Sequence, residues 1–120
     1  FFLVFVAIGV FSASLGYGFL PSLTMPFLYE IEVTNTNLLN ILRAISGLYI
    51  ALVTFWILGA YNSNLQLPAL WSLTIFMTGI ALGRVASILI DGLPSPIFIF
   101  YLFIEIISGL IGYALLKGKL

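Results

Sequence analysis

The sequence predicts an all-α, polytopic integral membrane protein built as a four-helix antiparallel bundle. Of its 120 residues, 62% are hydrophobic and 7% are charged, whereas a soluble domain carries about 25% charged residues. The uncharged stretches 1–29 and 44–83 both exceed the roughly 20 residues that a helix needs to cross the hydrocarbon core. Short polar breaks between the apolar stretches predict antiparallel neighbours. We therefore expect residues 1–120 to form a single membrane domain.

The first predicted span lies at about 2–19, at the apolar start of the chain. Because the chain starts without Met, we expect it to be trimmed, and a signal peptide is the alternative interpretation of this segment. We favour a span, because small residues suited to helix packing recur on one face: Gly9, Ser12, Ala13 and Gly16. The following segment 21–37 contains two Pro and two acidic residues. It predicts an interfacial loop that could hold one short helical turn.

Three further spans follow, at about 38–61, 68–90 and 96–116. The run Thr34-Asn35-Thr36-Asn37 supplies N-cap residues before the second span. A polar stretch at 62–67 ends at Pro68 and predicts a hairpin, since Pro suits the first turn of a helix. The stretch 91–96 combines a helix stop with a Pro that can open the next helix. It predicts the turn before the fourth span.

The distribution of the terminal charges predicts the orientation of the chain. Lys117 and Lys119 lie on the side that holds the C-terminus and the 62–67 hairpin. The opposite side carries acidic residues: Glu30, Glu32 and Asp91. The positive-inside rule then places both termini in the cytoplasm.

Three charged residues fall inside the predicted spans at a common depth. At 1.5 Å per residue, Arg43, Arg84 and Glu105 lie roughly 9, 10 and 13 Å below the non-cytoplasmic ends of their helices. A charge near the middle of a membrane helix costs about 2.5 to 3.5 kcal/mol on insertion scales. We therefore expect Glu105 to form an ion pair or charge-assisted hydrogen bonds with Arg84, Arg43 or both.

Two arginines that face one carboxylate leave one positive charge over. Asp91 can balance it, because it follows Arg84 by seven residues on the same helix face, and Glu30 or Glu32 are the alternatives. Asn40 precedes Arg43 on the same face of the second span and joins the group. The candidate polar cluster therefore has five members: Asn40, Arg43, Arg84, Asp91 and Glu105. Small residues next to Glu105 in the last span permit close helix approach: Ser108, Gly109 and Gly112.

The polar cluster leaves three interpretations open. It is a clasp that fixes the helix register, a cavity whose spare arginine charge binds an anionic headgroup or carboxylate, or a proton-transport site at Glu105. Adjacent arginines disfavour the proton-transport interpretation, because they keep Glu105 ionised. The 19 aromatic residues (11 Phe, 6 Tyr, 2 Trp) are expected mainly as lipid-facing bulk and interface anchors. A pigment or quinone platform among them is a minor alternative.

Composition excludes several classes of function. The chain has no Cys and no His, which removes disulfides, catalytic triads with His, and the usual ligands of zinc and haem. A net charge of zero gives no basic surface for nucleic acid. No nucleophile and base occur at a catalytic spacing. We therefore expect a non-enzymatic protein, without cofactor or metal, whose partners are membrane lipids and other membrane protein subunits.

Two functions remain. The first is a structural or accessory subunit of a larger membrane complex, for example an energy-transducing one. The alternative is a small transporter, or a membrane protein that binds a lipid or an anionic ligand at the Arg/Glu cluster. Small multidrug transporters share the length, but they carry their working Glu in the first helix, which is uncharged here.

Several segments also carry a resemblance to a known family: Gly16-Tyr17-Gly18 with Pro21, Leu42 to Tyr49, Gly83 to Ser87 with Asp91-Gly92-Leu93-Pro94, and Glu105-Ile106. Their order and spacing resemble a bacterial family of small four-helix membrane proteins that is catalogued as a domain of unknown function. The resemblance covers nearly the whole chain and implies the four-helix fold. It also implies that Arg43, Arg84, Asp91 and Glu105 are polar positions of the family. It implies no reaction.

Overall fold

The computed structural model describes residues 1–19, 21–29, 31, 32 and 34–119. In this part of the chain all regular structure is helical, which confirms the predicted all-α class. The helices are α1 (Phe2–Gly18), α2 (Pro21–Tyr29), α3 (Thr36–Tyr61), α4 (Ser63–Asp91) and α5 (Pro96–Lys119). The three helices α3, α4 and α5 are each long and apolar enough to cross a membrane, and α1 reaches that threshold together with α2, from which it is sharply bent.

The connection between α3 and α4 is shorter than the predicted 62–67 hairpin. Asn62 alone joins the two helices, and its side chain accepts a hydrogen bond from the backbone N–H of Asn64 at 2.9 Å. Capping by Asn62 satisfies an N–H group that would otherwise lack a partner, so α4 begins at Ser63. Pro68 consequently lies inside α4 and not at its start. The N-cap predicted before α3 is confirmed, since Asn35 accepts hydrogen bonds from the N–H groups of Asn37 and Leu38.

The segment predicted as the interfacial loop 21–37 contains α2, a helix of nine residues. Pro21 is its first residue, a position where the missing N–H costs nothing. Met25 and Tyr29 of α2 are buried with Leu42 of α3 in a small apolar cluster. This tertiary packing explains why a segment with two Pro residues is helical, and the sequence pattern alone does not show it.

The long helices pack side by side in the order α1, α3, α4, α5. The side-chain hydroxyl of Ser46 in α3 donates to the carbonyl of Ser14 in α1 at 2.9 Å. The indole N–H of Trp56 in α3 donates to the hydroxyl of Ser72 in α4 at 3.1 Å. Gly112 of α5 lies directly against Thr74 of α4, as expected for the small residues of the last span. The connections between the last three helices are short: Asn62 joins α3 to α4, and residues 92–95 join α4 to α5.

The main core lies where α1, α3 and α4 meet, and Leu116 near the end of α5 joins it. Its completely buried apolar members are Ala7, Trp56, Ala69 and Leu73. The outside of the helices is also apolar, with Leu82, Leu89 and Phe103 exposing 65%, 81% and 60% of their surface. A soluble monomer rarely exposes so much contiguous apolar area. The external surface therefore fits an apolar surrounding.

The row of helices is open between its two ends. Packing among the described residues joins α1 to α3 and α5 to α4, and α1 and α5 share no substantial contact. A cleft therefore separates α1 from α5, and α3 and α4 form its floor. This cleft contains the candidate site.

Candidate functional site

The cleft between α1 and α5 has a volume of about 420 Å³. Most of its wall is apolar, and representative lining residues are Phe5, Gly9, Ala13, Phe76, Ile80 and Ile104. On α1 the lining extends from Phe5 to Tyr17, a distance of roughly 18 Å at the helical rise per residue. The cleft is therefore long, narrow and lined by hydrocarbon over most of its length.

An ion pair lies at one end of the cleft. The Nε of Arg84 in α4 donates to Oε1 of Glu105 in α5 at 2.6 Å, and the side chains are 21% and 11% exposed. Both residues line the cleft. Of the partners predicted for Glu105, which were Arg84, Arg43 or both, the structure pairs it with Arg84. A short charge-assisted contact of this kind is among the stronger hydrogen bonds in proteins.

Aromatic rings surround the guanidinium group of Arg84. Its central carbon lies 5.5 Å from the ring centroid of Tyr101 and 5.9 Å from that of Phe98. These distances are within the range of cation–π attraction. The rings compensate the charge of Arg84 in addition to the carboxylate of Glu105.

Tyr29 connects α2 to this end of the cleft. Its hydroxyl is hydrogen-bonded to that of Tyr101 at 2.8 Å. Its ring stacks on Phe98 at 5.0 Å and on Tyr17 at 5.6 Å between centroids. Through these contacts α2 lies over the polar end of the cleft and links α1 to the first turns of α5.

Tyr49 presents a hydroxyl to the cleft. Its ring packs edge-on against Tyr17 and Phe76, with centroids 5.8 and 5.6 Å away, and all three rings line the cleft. The Tyr49 hydroxyl forms no hydrogen bond with another described residue. It is not fully buried, because every buried side-chain oxygen among the described residues has a hydrogen-bond partner. Because Tyr49 lines the cleft, its hydroxyl is available to a molecule bound there.

The predicted contact between Arg43 and Glu105 is not formed. Arg43 is exposed and its Nη1 donates to the carbonyl of Gly18 at 3.1 Å. Gly18 is the last residue of α1, so this carbonyl has no partner within the helix. A positive charge at the C-terminal end of a helix is also favoured by the helix dipole. These interactions explain why Arg43 caps α1 and does not join the ion pair.

The other predicted members of the cluster also lie apart from it. Asp91 is exposed and accepts a hydrogen bond from the hydroxyl of Ser87 at 3.1 Å. Seven residues of helix separate Asp91 from Arg84 by roughly 10 Å, which is too far for an ion pair. Asn40 and Glu32 are exposed, and Glu30 lies outside the described residues.

The charge of the site therefore differs from the prediction. Its ionisable pair is one arginine and one glutamate with a net charge of zero, because the expected second arginine is used at the end of α1. Among the described residues that line the cleft, Arg84 and Glu105 are the charged ones, and their charges cancel. The arrangement can instead hold an uncharged molecule that has hydrogen-bonding atoms at one end and hydrocarbon at the other.

The tyrosines of the site are not distinguished by the sequence pattern. Aromatic residues in an apolar chain are expected to face lipid, and nothing in the local pattern separates Tyr17, Tyr29, Tyr49 and Tyr101 from the others. A usable signal is position, since Tyr17 ends the first span and Tyr101 lies four residues before Glu105. That spacing places Tyr101 and Glu105 on one face of α5.

Comparison with known proteins gives one family. No curated protein and no solved structure matches the chain. The model of the family DUF4345, a domain of unknown function, matches residues 1–116. This match confirms the resemblance to a family of unknown function. Because it covers almost the whole chain, the protein belongs to the DUF4345 family.

Proposed function

We propose that the protein is a multi-pass integral membrane protein that binds one uncharged amphipathic lipid in the cleft between α1 and α5. The observation that carries the proposal is the pairing of a long apolar cleft with a neutral Arg84–Glu105 pair at its end. In this proposal α1, α3, α4 and α5 are the membrane passes, and the protein is not an enzyme. The polar atoms at the end of the cleft orient the lipid and carry out no reaction on it.

The width of the cleft favours a single hydrocarbon chain over a protein segment. About 420 Å³ of the cleft is open to the centre of a water molecule; over a length of roughly 18 Å, and with the radius of a water molecule added on each side, this corresponds to a channel about 8 Å across. An α-helix with its side chains is about 10 to 12 Å in diameter. A partner helix could cover the opening but could not enter the cleft. A linear apolar chain fits its length and its width.

The proposal is tested by filling the cleft without disturbing the fold. Gly9 lines the cleft, and a Cβ at this position would meet no atom within 4 Å. Gly9→Leu should therefore fold normally while its side chain occupies the lipid site. The bound lipids of the purified protein are extracted and quantified by mass spectrometry. We expect one neutral lipid species, near one molecule per chain, to fall at least tenfold in Gly9→Leu.

Gly79→Leu is the matched control. A Cβ added to Gly79 would also meet no atom within 4 Å, but this residue lies on α4 away from the lining of the cleft. The variant should retain the lipid at the level of the unmodified protein. Equal lipid content and composition in all three proteins would contradict the proposal.

A subunit role is the second candidate, and the exposed face of α4 favours it. Gly79 and Gly83 are exposed, four residues apart, with open space beside both. Small residues at this spacing allow two membrane helices to approach closely. In this case extraction from the native membrane in mild detergent should give a discrete large complex on a native gel. Migration as a lone monomer would contradict a subunit role and leave lipid binding unaffected.

A further inference from the structure

We propose that the lipid held in the cleft is a quinone with a linear apolar tail, whose ring lies among the tyrosines next to Arg84 and Glu105. This inference rests on the proposed lipid-binding function and names the chemical class of the lipid. Three observations carry it: the depth of the polar end, the aromatic walls, and the hydrogen-bonding groups that face the open space.

The polar end of the cleft lies well below the ends of the helices. Arg84 precedes the last residue of α4 by seven positions, and Glu105 follows the first residue of α5 by nine. Both side chains are therefore roughly 10 to 13 Å from the helix ends on that side. Tyr29 of α2 covers this end from above. A phospholipid headgroup must stay at the water interface, so the molecule bound here has a head that is stable inside the hydrocarbon region.

The walls around the polar end are aromatic. Rings of Tyr17, Tyr49 and Tyr101 line the cleft, and Tyr17 and Tyr101 pack against Tyr29 at this end. Aromatic rings prefer offset-stacked or edge-to-face contacts with another planar ring. A glycerol or a simple alcohol gains nothing from these faces. A flat conjugated head gains contact area and favourable ring geometry.

The hydrogen-bonding groups call for acceptors on the ligand. A guanidinium group has five N–H donors and no acceptor, and one of those of Arg84 is used by Glu105. Tyr49 also lines the cleft, and its hydroxyl, which is hydrogen-bonded to no other described residue, can donate a second hydrogen bond. A quinone ring carries carbonyl oxygens that accept hydrogen bonds and has no charge. Its neutrality matches the zero net charge of the Arg84–Glu105 pair.

The test uses decyl-ubiquinone as the probe and monoolein as an aliphatic control of the same amphipathic kind. Each is titrated by calorimetry into the full chain in phosphatidylcholine nanodiscs. We expect saturable binding of decyl-ubiquinone, at least tenfold tighter than that of monoolein, and its loss in Gly9→Leu but not in Gly79→Leu. Tyr49→Phe should weaken binding of the quinone about fivefold, the equivalent of one hydrogen bond. Tyr61→Phe, on the exposed surface of the same helix, should have no effect.

The outcomes separate this inference from the proposed function. Equal affinity for both probes, lost for both in Gly9→Leu, would overturn the quinone assignment and leave lipid binding intact. Binding that Gly9→Leu and Gly79→Leu leave unchanged would overturn the cleft as the site and with it both proposals. An unchanged affinity of Tyr49→Phe for decyl-ubiquinone would overturn the proposed position of the quinone ring next to the Tyr49 hydroxyl. Tyr49→Phe keeps the aromatic packing of the core, so this result does not depend on a disruptive variant.

Discussion

Arg84 and Arg43 show how the same side chain takes different roles within one bundle. Arg84 is half-buried, and the carboxylate of Glu105 and the ring of Tyr101 compensate its charge. Arg43 is exposed and satisfies the carbonyl of Gly18. The difference comes from their neighbours and not from their depth, which is nearly equal when counted along the helices. Depth alone therefore does not identify the members of a charge cluster.

Glu105→Gln tests the energetic role of the ion pair. The amide keeps an acceptor for Arg84 but removes the negative charge, so the guanidinium is left uncompensated in a partly buried position. Breaking one side of a buried pair costs on the order of 3 kcal/mol. We expect a loss of this size in the free energy of unfolding, measured by denaturant titration in detergent.

Two further variants make that measurement decisive. Replacing both partners by apolar residues (Arg84→Met with Glu105→Leu) should recover most of the loss, because an apolar pair needs no compensation. Asp91→Asn should change the stability by less than about 0.5 kcal/mol, since Asp91 is exposed and contacts only Ser87. A Glu105→Gln variant as stable as the unmodified chain would show that the pair adds nothing to the fold.

Arg43→Met tests the assignment of Arg43 to the end of α1. The variant keeps the apolar stem but loses the donor to the Gly18 carbonyl. We expect a loss of about 1 kcal/mol in stability and faster hydrogen exchange confined to the last turn of α1. Asn40→Ala, one turn earlier on the same helix and also exposed, should leave exchange unchanged. A change in the bound lipid of Arg43→Met would instead indicate that Arg43 contributes to lipid binding in the cleft.

Among the helices, glycine positions determine which pairs come close together. A Cβ on Gly59 of α3 would overlap with the Cβ of Ala69 in α4 and lie 3.1 Å from the carbonyl oxygen of Leu65. Gly112 has the same function between α5 and α4 through Thr74. Close approach of the backbones increases the van der Waals contact, which is the main attraction between helices in lipid.

Gly59→Ala tests this close approach. The added methyl group has no free space, and overpacking of a tight contact costs about 1 to 3 kcal/mol. We expect a lower midpoint of thermal unfolding in detergent. Gly47→Ala is the control on the same helix, because a Cβ there would meet nothing within 4 Å. Its midpoint should stay the same or rise, since Ala is the better helix former; equal effects of the two variants would contradict the packing argument.

The molecule as a whole is a row of helices that leaves one side open. A closed four-helix bundle would place α5 next to α1 and leave no cleft. The structure packs α5 against α4 and bends the chain after α1, so that α2 covers the end of the opening. The cleft and its polar end exist because of this arrangement.

Cysteine labelling tests the orientation of the whole chain. The protein has no Cys, so single substitutions report one site each. We propose that the α3–α4 connection faces the cytoplasm and the α4–α5 connection faces the opposite side. In intact cells a membrane-impermeant maleimide should label Leu93→Cys and not Asn64→Cys, both of which are exposed positions. Labelling of Asn64→Cys alone would reverse the orientation, and labelling of both in intact cells would contradict membrane insertion.

Much of the fold follows from local patterns in the sequence. The four long helices lie close to the predicted positions, because uncharged stretches, Asn caps and Pro-Gly breaks act within a few residues of where they stand. The pairing of Glu105 with an arginine also follows from the sequence, since opposite charges in an apolar chain strongly favour each other, but the choice between Arg84 and Arg43 does not. The helix boundaries near Asn62 and the helix Pro21–Tyr29 do not follow from the local sequence pattern. There the capping of a single residue and the packing against distant helices outweigh the local pattern.

The composition and pattern of this chain therefore establish an all-helical protein with apolar surfaces and a Glu105 that pairs with an arginine, because burial and charge pairing are energetic requirements that any fold must meet. The partner of Arg43, the neutral charge of the site and the cleft between α1 and α5 depend on which helices become neighbours. That choice results from contacts between residues far apart in the chain, such as Gly59 with Ala69 and Tyr29 with Tyr101. No single segment contains this information, so it became visible only in the packed molecule.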